Sequence, residues 1–316
     1  MARTTLAIRE NLPGFPPFAQ LLKSRDVEDP VNLWVHRPLA YSFCWLIHRT
    51  PITPNQVTLL AISLGFAAAA CWVDGSPIAM IWGGALLWSS SIMDGADGIL
   101  ARAKNMHSAF GRALDGSADM LVALATVAAC LHHLVVSGTP RWVLGLALPA
   151  LLMTVLQLNL YDFYKELHLR MTRLDRGGEG DSADEAARLR ASSVVQRGPW
   201  YRRVSMKIYA DYLRFQERLI AWSNPGAAQL LANSTRRTPS GAAVYREQNR
   251  LPMRLWMAVS LAPHSYLFAI FGMLDRLDLY LLLRVSLMSV ISVVALVTQR
   301  RATARTLLAL RSQGLA

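Results

Sequence analysis

The sequence predicts an all-α membrane protein, a bundle of six transmembrane helices, and three observations predict it. First, apolar residues gather into stretches at roughly 54–73, 77–100, 108–136, 140–165, 252–274 and 277–299. A helix needs about 20 such residues to cross the hydrocarbon of a bilayer. Second, the chain is 53% apolar and only 17% charged, yet carries a formal net charge of +12. Third, that charge is lopsided. With six spans and both termini on one side, twenty-nine Lys and Arg collect on that side and two, Arg141 and Arg276, on the other. Arg112 and Arg284 fall inside spans. Length alone would allow two soluble domains, but six spanning segments speak against a soluble helical core.

The positive side is the cytoplasmic one, so both termini are expected there, in the cell (inner) membrane if the source is bacterial. Contact with anionic membrane lipids accounts for the basic balance. No basic domain with aromatic or groove-reading elements is present, which excludes nucleic acid as the expected partner. The start, "MARTTLAIRENLPGFPPFAQ", lacks the continuous apolar run of a secretory signal and holds three prolines, so no cleaved targeting peptide is expected. Cys44, Cys71 and Cys130 lie far apart without metal-ligand spacing and read as buried free thiols.

Four regions follow in order. Residues 1–52 form a cytoplasmic arm, poorly ordered to about residue 28, and then an amphipathic helix lying in the interface. Asp29 is its N-cap and Pro30 its first position. Residues 53–166 hold spans one to four, entered through "TPNQVT", with "DGSP" and "SGTP" as turns on the outer side. Residues 167–251 are a cytoplasmic insertion. Within it, apolar residues at 201, 204, 208, 212, 215, 219 and 222 make one helix face. That helix either lies on the membrane, caps the site, or packs on its own neighbours. The stretch 223–243 reads as a loop. Residues 252–316 hold the last two spans, with a kink expected at Pro263, and a basic tail.

The chemistry sits at the join of the second and third spans. Asp94 and Asp97 are three apart and share a helix face, as do Asp115 and Asp119, four apart. A short polar turn, "KNMHS", joins the two helices. Four carboxylates facing one another at membrane depth repel unless a cation sits among them, and all-oxygen ligands favour Mg²⁺, Mn²⁺ or Ca²⁺ over zinc. Such sites commonly complete their shell with phosphate oxygens, which points to phosphoryl chemistry. Gly95, Gly98, Ala101, Gly111 and Gly116 permit close backbone approach, and Arg102 and Lys104 stand where they can meet an anion. The alternative is a proton or ion pathway built from the same acids.

Residues 94–119 read Asp-x2-Asp-Gly-x2-Ala-Arg-x8-Gly-x3-Asp-x3-Asp. This resembles the signature of the CDP-alcohol phosphotransferase family at all eight positions, and the similarity covers roughly residues 50–135. The resemblance implies transfer of a substituted phosphate from a CDP-alcohol to a hydroxyl, with release of CMP. It implies that Asp94, Asp97, Asp115 and Asp119 hold one or two Mg²⁺ (or Mn²⁺) ions, and that Asp119 also takes the acceptor's proton. Gly98, Ala101, Arg102 and Gly111 would shape the nucleotide pocket, with Asn55 and Ser108 as further contacts. CDP-diacylglycerol is the preferred donor, with a small polar alcohol as acceptor. The alternative enzyme moves a head group from a soluble CDP-alcohol to a lipid alcohol. A homodimer is expected from the resemblance alone. Lys165 and Arg170 either bind a phosphate of the acceptor or reach toward head groups; His264 reads as a core histidine, and His132 and His133 fall near the outer surface.

Overall fold

The computed structural model describes residues 15–21, 26–106, 109–173, 183–232 and 238–312. Among them the regular structure is helical, with no strand. The longer helices are α1 (Arg37–Ile47), α2 (Pro54–Asp74), α3 (Pro77–Ala103), α4 (Ala109–Val136), α5 (Ala147–Thr172), α6 (Ala183–Ala191), α7 (Trp200–Ser223), α8 (Pro225–Ala232), α9 (Pro239–Ala258), α10 (Leu261–Met273), α11 (Leu277–Leu283) and α12 (Ser289–Ser312). The chain divides into two compact units, Met1–Ala147 with His264–Leu281, and Leu148–Pro263 with Leu282–Ala316.

Five stretches among the described residues are long and apolar enough to cross a membrane: Pro54–Asp74, Asp119–Val136, Arg141–Thr172, Pro239–Met273 and Leu277–Ser312. The remaining expected span, 77–100, is present as the 27-residue α3 but falls short on composition. Ser89, Ser90 and Ser91, followed by Asp94 and Asp97, dilute its apolar character.

In the first unit, Asp29 caps the N-terminal helix as expected: its carboxylate accepts the Asn32 N–H at 3.0 Å. A π turn at Asn32–His36 then leads into α1. Pro38 stands at the start of α1, where its missing N–H and its ring would disturb an ideal α-helix, and the widened turn before it takes up the mismatch. Residues 15–21 and 26–28 are packed rather than loose. Phe15, Phe18, Leu21 and Val27 are buried, the two phenyl rings lie against Tyr41, and the Tyr41 hydroxyl donates to the Pro16 carbonyl at 3.1 Å. The aromatic residues of the arm supply buried area that its prolines do not forbid.

α2 opens with a complete capping box between Thr53 and Gln56, with Pro54 at the first position. Gly75 ends it in the left-handed conformation, and the Ser76 hydroxyl then caps α3. α2 packs against both α3 and α4. Its last turn carries Trp72, fully buried, whose indole fills the space left by two glycines of other helices. A Cβ added at Gly83 would stand 2.4 Å from its Cδ1, and one at Gly272 2.3 Å from its Cζ2. Phe268 of α10 lies edge-on to the same ring at 4.7 Å. The three cysteines are free; Cys44 and Cys130 are buried and Cys71 half-buried.

In the second unit α7 forms where the periodicity places a helix, but its packing face is turned. Met206, Ala210, Leu213, Gln216 and Ile220 point inward, while Tyr201, Val204, Phe215 and Trp222 of the expected apolar stripe are exposed. The 223–243 stretch is helical rather than a loop over Pro225–Ala232 and again from Pro239. Proline at the first position starts both helices without losing a hydrogen bond. The chain breaks at Val259–Ser260, and Pro263 sits in the first turn of α10, where it costs nothing. A polar seam ties α12 to its neighbours. Gln299 donates to Asn249 at 2.7 Å, Asn249 to Thr306 at 3.2 Å, and Asn224 to Thr303 at 3.0 Å, all of them buried.

Two outcomes follow. Gly272→Ala drives a methyl into a buried indole with no room to retreat and should cost roughly 1–3 kcal/mol of stability. Gly145→Ala, whose added Cβ meets nothing closer than 3.4 Å, serves as the neutral control in thermal unfolding of the purified protein. His36 is buried edge-on against Trp88 and Tyr266, and its Nε2 has no hydrogen-bond partner. Burial, with Arg37 beside it, lowers its pKa to about 4. The unfolded imidazole, near 6.5, then binds protons more readily, so the stability His36 confers is full above about pH 6.5 and is lost as pH falls toward 4. His36→Phe should flatten that acid limb, an effect of roughly 3 kcal/mol at its lower end, read as unfolding midpoint against pH.

Candidate active site

The sequence-predicted residues cluster on two helices that share α2 as a neighbour. Asp94 and Asp97 stand in the C-terminal half of α3, and Asp115 and Asp119 in the first half of α4. Asp97 is buried, and its carboxylate accepts the hydroxyl of Thr58, one turn into α2. A buried carboxylate without such a donor is expensive, so this contact helps fix the register of α2 against α3. Asp94 and Asp119 are half-buried.

The N-terminal segment grips the same stretch from another side. The Arg37 guanidinium donates to the Gly95 carbonyl at 3.1 Å and to the Glu28 carboxylate at 2.9 Å. The Cys44 thiol donates to the Ala96 carbonyl at 3.0 Å. Arg102 donates from Nε to the Leu21 carbonyl at 2.7 Å, and its guanidinium lies along Gly98, 3.6 Å from where a Cβ would be. Lys104 closes the segment, donating to the Thr50 and Ile52 carbonyls at 2.8 and 2.7 Å. The backbone around Asp94 and Asp97 is thus held by side chains from residues 28–44 that motif reasoning did not single out. Thr58 lies in the quoted "TPNQVT", one helical turn after Pro54, and that spacing is the signal that marks it. Arg37 carries no comparable signal, because only the tertiary fold brings it to Gly95.

Ala101 is half-buried and Asn55 exposed. Ser108 lies outside the described residues, and for Gly111 and Asp115 only the helical backbone is described. Carboxylate oxygens suit a hard divalent cation. Among the described residues no three His, Cys, Asp or Glu side chains form a metal-holding group; the Asp115 side chain is not among them. Away from this stretch, Lys165 is paired with Asp162 at 2.5 Å and Arg170 with Glu166 at 2.8 Å, each a carboxylate one turn earlier. His264 is buried, and His133 pairs with Asp275 at 2.7 Å.

Residues 51–175 match the family described as CDP-alcohol phosphatidyltransferase. That stretch of the chain is similar to a CDP-alcohol phosphatidyltransferase domain. The domain spans the whole motif, the Thr58 contact and α5 as far as its C-terminus. Proteins described as "Bifunctional IPC transferase and DIPP synthase" are similar to part of this chain. The one from Aquifex aeolicus is 40% identical over 91 residues, 28% of this chain and 19% of the relative. That from Rubrobacter xylanophilus is 34% identical over 92 residues, 29% and 20% of the two chains. That from Thermococcus kodakarensis is 39% identical over 84 residues, 24% and 18%. The chain thus spans about a fifth of the length of the curated relatives it matches.

The Thr58–Asp97 contact is open to a direct test. Thr58→Val keeps the shape but leaves a buried carboxylate short of a donor, and should cost about 1–3 kcal/mol of stability. Thr58→Ser should restore most of it, as read by denaturation of the purified chain.

Proposed function

We propose that the protein is an integral membrane enzyme that transfers a substituted phosphate group from a CDP-alcohol to the hydroxyl of an acceptor alcohol, releasing CMP. The observation that carries this reading is the eight-position motif at 94–119 inside a region that matches the family. The relatives' names, a transferase and a synthase, support group transfer over an ion pathway built from the same acids. CDP-diacylglycerol is the proposed donor and a small polar alcohol the acceptor. The alternative assignment has a soluble CDP-alcohol and a lipid acceptor.

In this reading α3 is the sixth span. At about 1.5 Å per residue its 27 residues reach about 40 Å, more than the hydrocarbon requires. The N-terminal helix lies in the interface, a placement supported by the apolar side chains Trp34, Val35, Leu39 and Leu46 that it leaves exposed. The termini and the site face the cytoplasm, as the distribution of Lys and Arg favours. The protein works as a homodimer in the cell membrane.

Asp94, Asp97, Asp115 and Asp119 would hold one or two Mg²⁺ or Mn²⁺ ions. A divalent cation held there would neutralise the diphosphate and stabilise charge on departing CMP. The chain's own residues do the rest. Gly98, Ala101 and Gly111 leave room for the nucleotide, Arg102 offers it positive charge, and Asn55 and Ser108 contact it. The acceptor oxygen attacks the distal phosphorus in line. The bond from that phosphorus to the bridging oxygen of CMP breaks as the new one forms. The acceptor proton passes to Asp119, a general base that acts in the transition state, since an ordinary aspartate near pKa 4 does not ionise a free alcohol beforehand.

The test is CMP release by purified protein with a panel of CDP-alcohols and acceptors, with and without Mg²⁺. Release should require the divalent ion. Asp119→Asn should lower turnover about 100- to 10,000-fold, the usual span for losing a general base, while weakening metal binding less. Equal CMP release by parent and variant refutes the assignment of the base. Absence of release with every donor refutes the enzyme.

A further inference from the structure

α7 presents two outward strips with different chemistry. One carries Tyr201, Val204, Phe215 and Trp222, all exposed, the last 79% so, with Trp200 69% exposed at the start of the helix. Beside it run Arg203, Lys207, Arg214 and Arg218, also exposed, with Arg214 donating to the Asp211 carboxylate at 3.4 Å. The opposite face packs Ala210 and Leu213 against Ala183 and Ala186 of α6 and bonds to α5: Gln216 donates to the Asn159 carbonyl at 3.0 Å and the Tyr212 hydroxyl to Asp162 at 2.8 Å. A helix that lay in water would not leave two tryptophans, a tyrosine and a phenylalanine uncovered beside a row of cations.

The height of those contacts identifies what covers the strip. Along α5 the side chains are apolar from Ala147 to Leu156 apart from Thr154, and Asp162, Lys165, Glu166 and Arg170 follow, so the contacts at Asn159 and Asp162 stand where the helix passes from apolar to charged. In the membrane reading, α7 therefore meets α5 at a boundary of the bilayer. Interfacial helices place aromatic side chains at the edge of the acyl region and Lys or Arg among the phosphates. The order of the strips fits a leaflet of negative surface charge.

We propose that α7 lies in the interface of an anionic cytoplasmic leaflet, with Tyr201, Val204, Phe215 and Trp222 inserted and Arg203, Lys207, Arg214 and Arg218 on lipid phosphates. This rests on the membrane reading given above. The helix belongs to residues 176–316, beyond the family match, so it is a lipid contact that this chain adds to the matched domain.

The test uses the full chain bearing Phe215→Cys, labelled with the environment-sensitive fluorophore NBD and reconstituted into phosphatidylcholine vesicles containing phosphatidylglycerol. The parent, labelled in parallel, corrects for Cys44, Cys71 and Cys130. Lipids carrying a nitroxide near the head group should lower emission roughly twofold, as an interfacial depth requires. Reversing Arg203, Lys207, Arg214 and Arg218 to Glu should remove most of that quenching. If that variant fails to fold, raising salt to about 1 M on the unreversed protein should weaken it instead. Emission untouched by nitroxide lipids overturns the proposal, whether the label is open to aqueous iodide or shielded by a second copy or another protein. Extraction of the chain by alkaline carbonate would instead sink the membrane reading on which this one rests.

Discussion

A carboxylate buried among apolar helices must be met by a donor or a cation, and the first unit is organised around that requirement. Asp97 is met by Thr58 across the α2–α3 contact. The neighbouring carbonyls of Gly95 and Ala96 are met by Arg37 and Cys44. These bonds set α2, α3 and the N-terminal helix in one register, because sliding any of them by a residue would strand a buried polar group. The cost that makes acids rare at membrane depth is the same cost that locks them in place.

Close packing supplies the other half of the order. Lipid tails are as apolar as leucine, so helices inside a bilayer gain little by hiding apolar side chains from one another, and contact between surfaces decides. Gly83 and Gly272 remove the side chains that would keep their helices from the Trp72 indole. Gly65 does the same for Val122. The second unit relies more on hydrogen bonds: Gln299, Thr303 and Thr306 recur along one face of α12 and meet Asn249 and Asn224. That seam runs from the middle of α12 into its basic, C-terminal half.

Much of the candidate site was legible because its residues are close in sequence. The spacing of Asp94, Asp97, Asp115 and Asp119 and the glycines between them are fixed by helix geometry, so their shared faces need no tertiary information. Caps at Asp29 and Thr53 were legible for the same reason, since a cap is a contact over three residues. The partners of the motif were not. Arg37 and Gly95 stand 58 residues apart, and Arg102 and Leu21 81 apart, and no local pattern links them.

The amino-acid sequence by itself determined the helical class, most of the apolar spans and the motif, all of which depend on local periodicity and composition. Tertiary structure alone decided which face of each helix turns inward. In α7 the periodicity marked an apolar stripe correctly, yet the face that packs holds Ala210, Gln216 and Ile220 instead. The reason is physical: periodicity shows that a helix has an apolar side, whereas burial depends on which neighbour offers a complementary surface. Here those neighbours are α6, whose Ala183 and Ala186 meet Ala210 and Leu213, and α5, whose Asn159 carbonyl and Asp162 carboxylate accept from Gln216 and Tyr212.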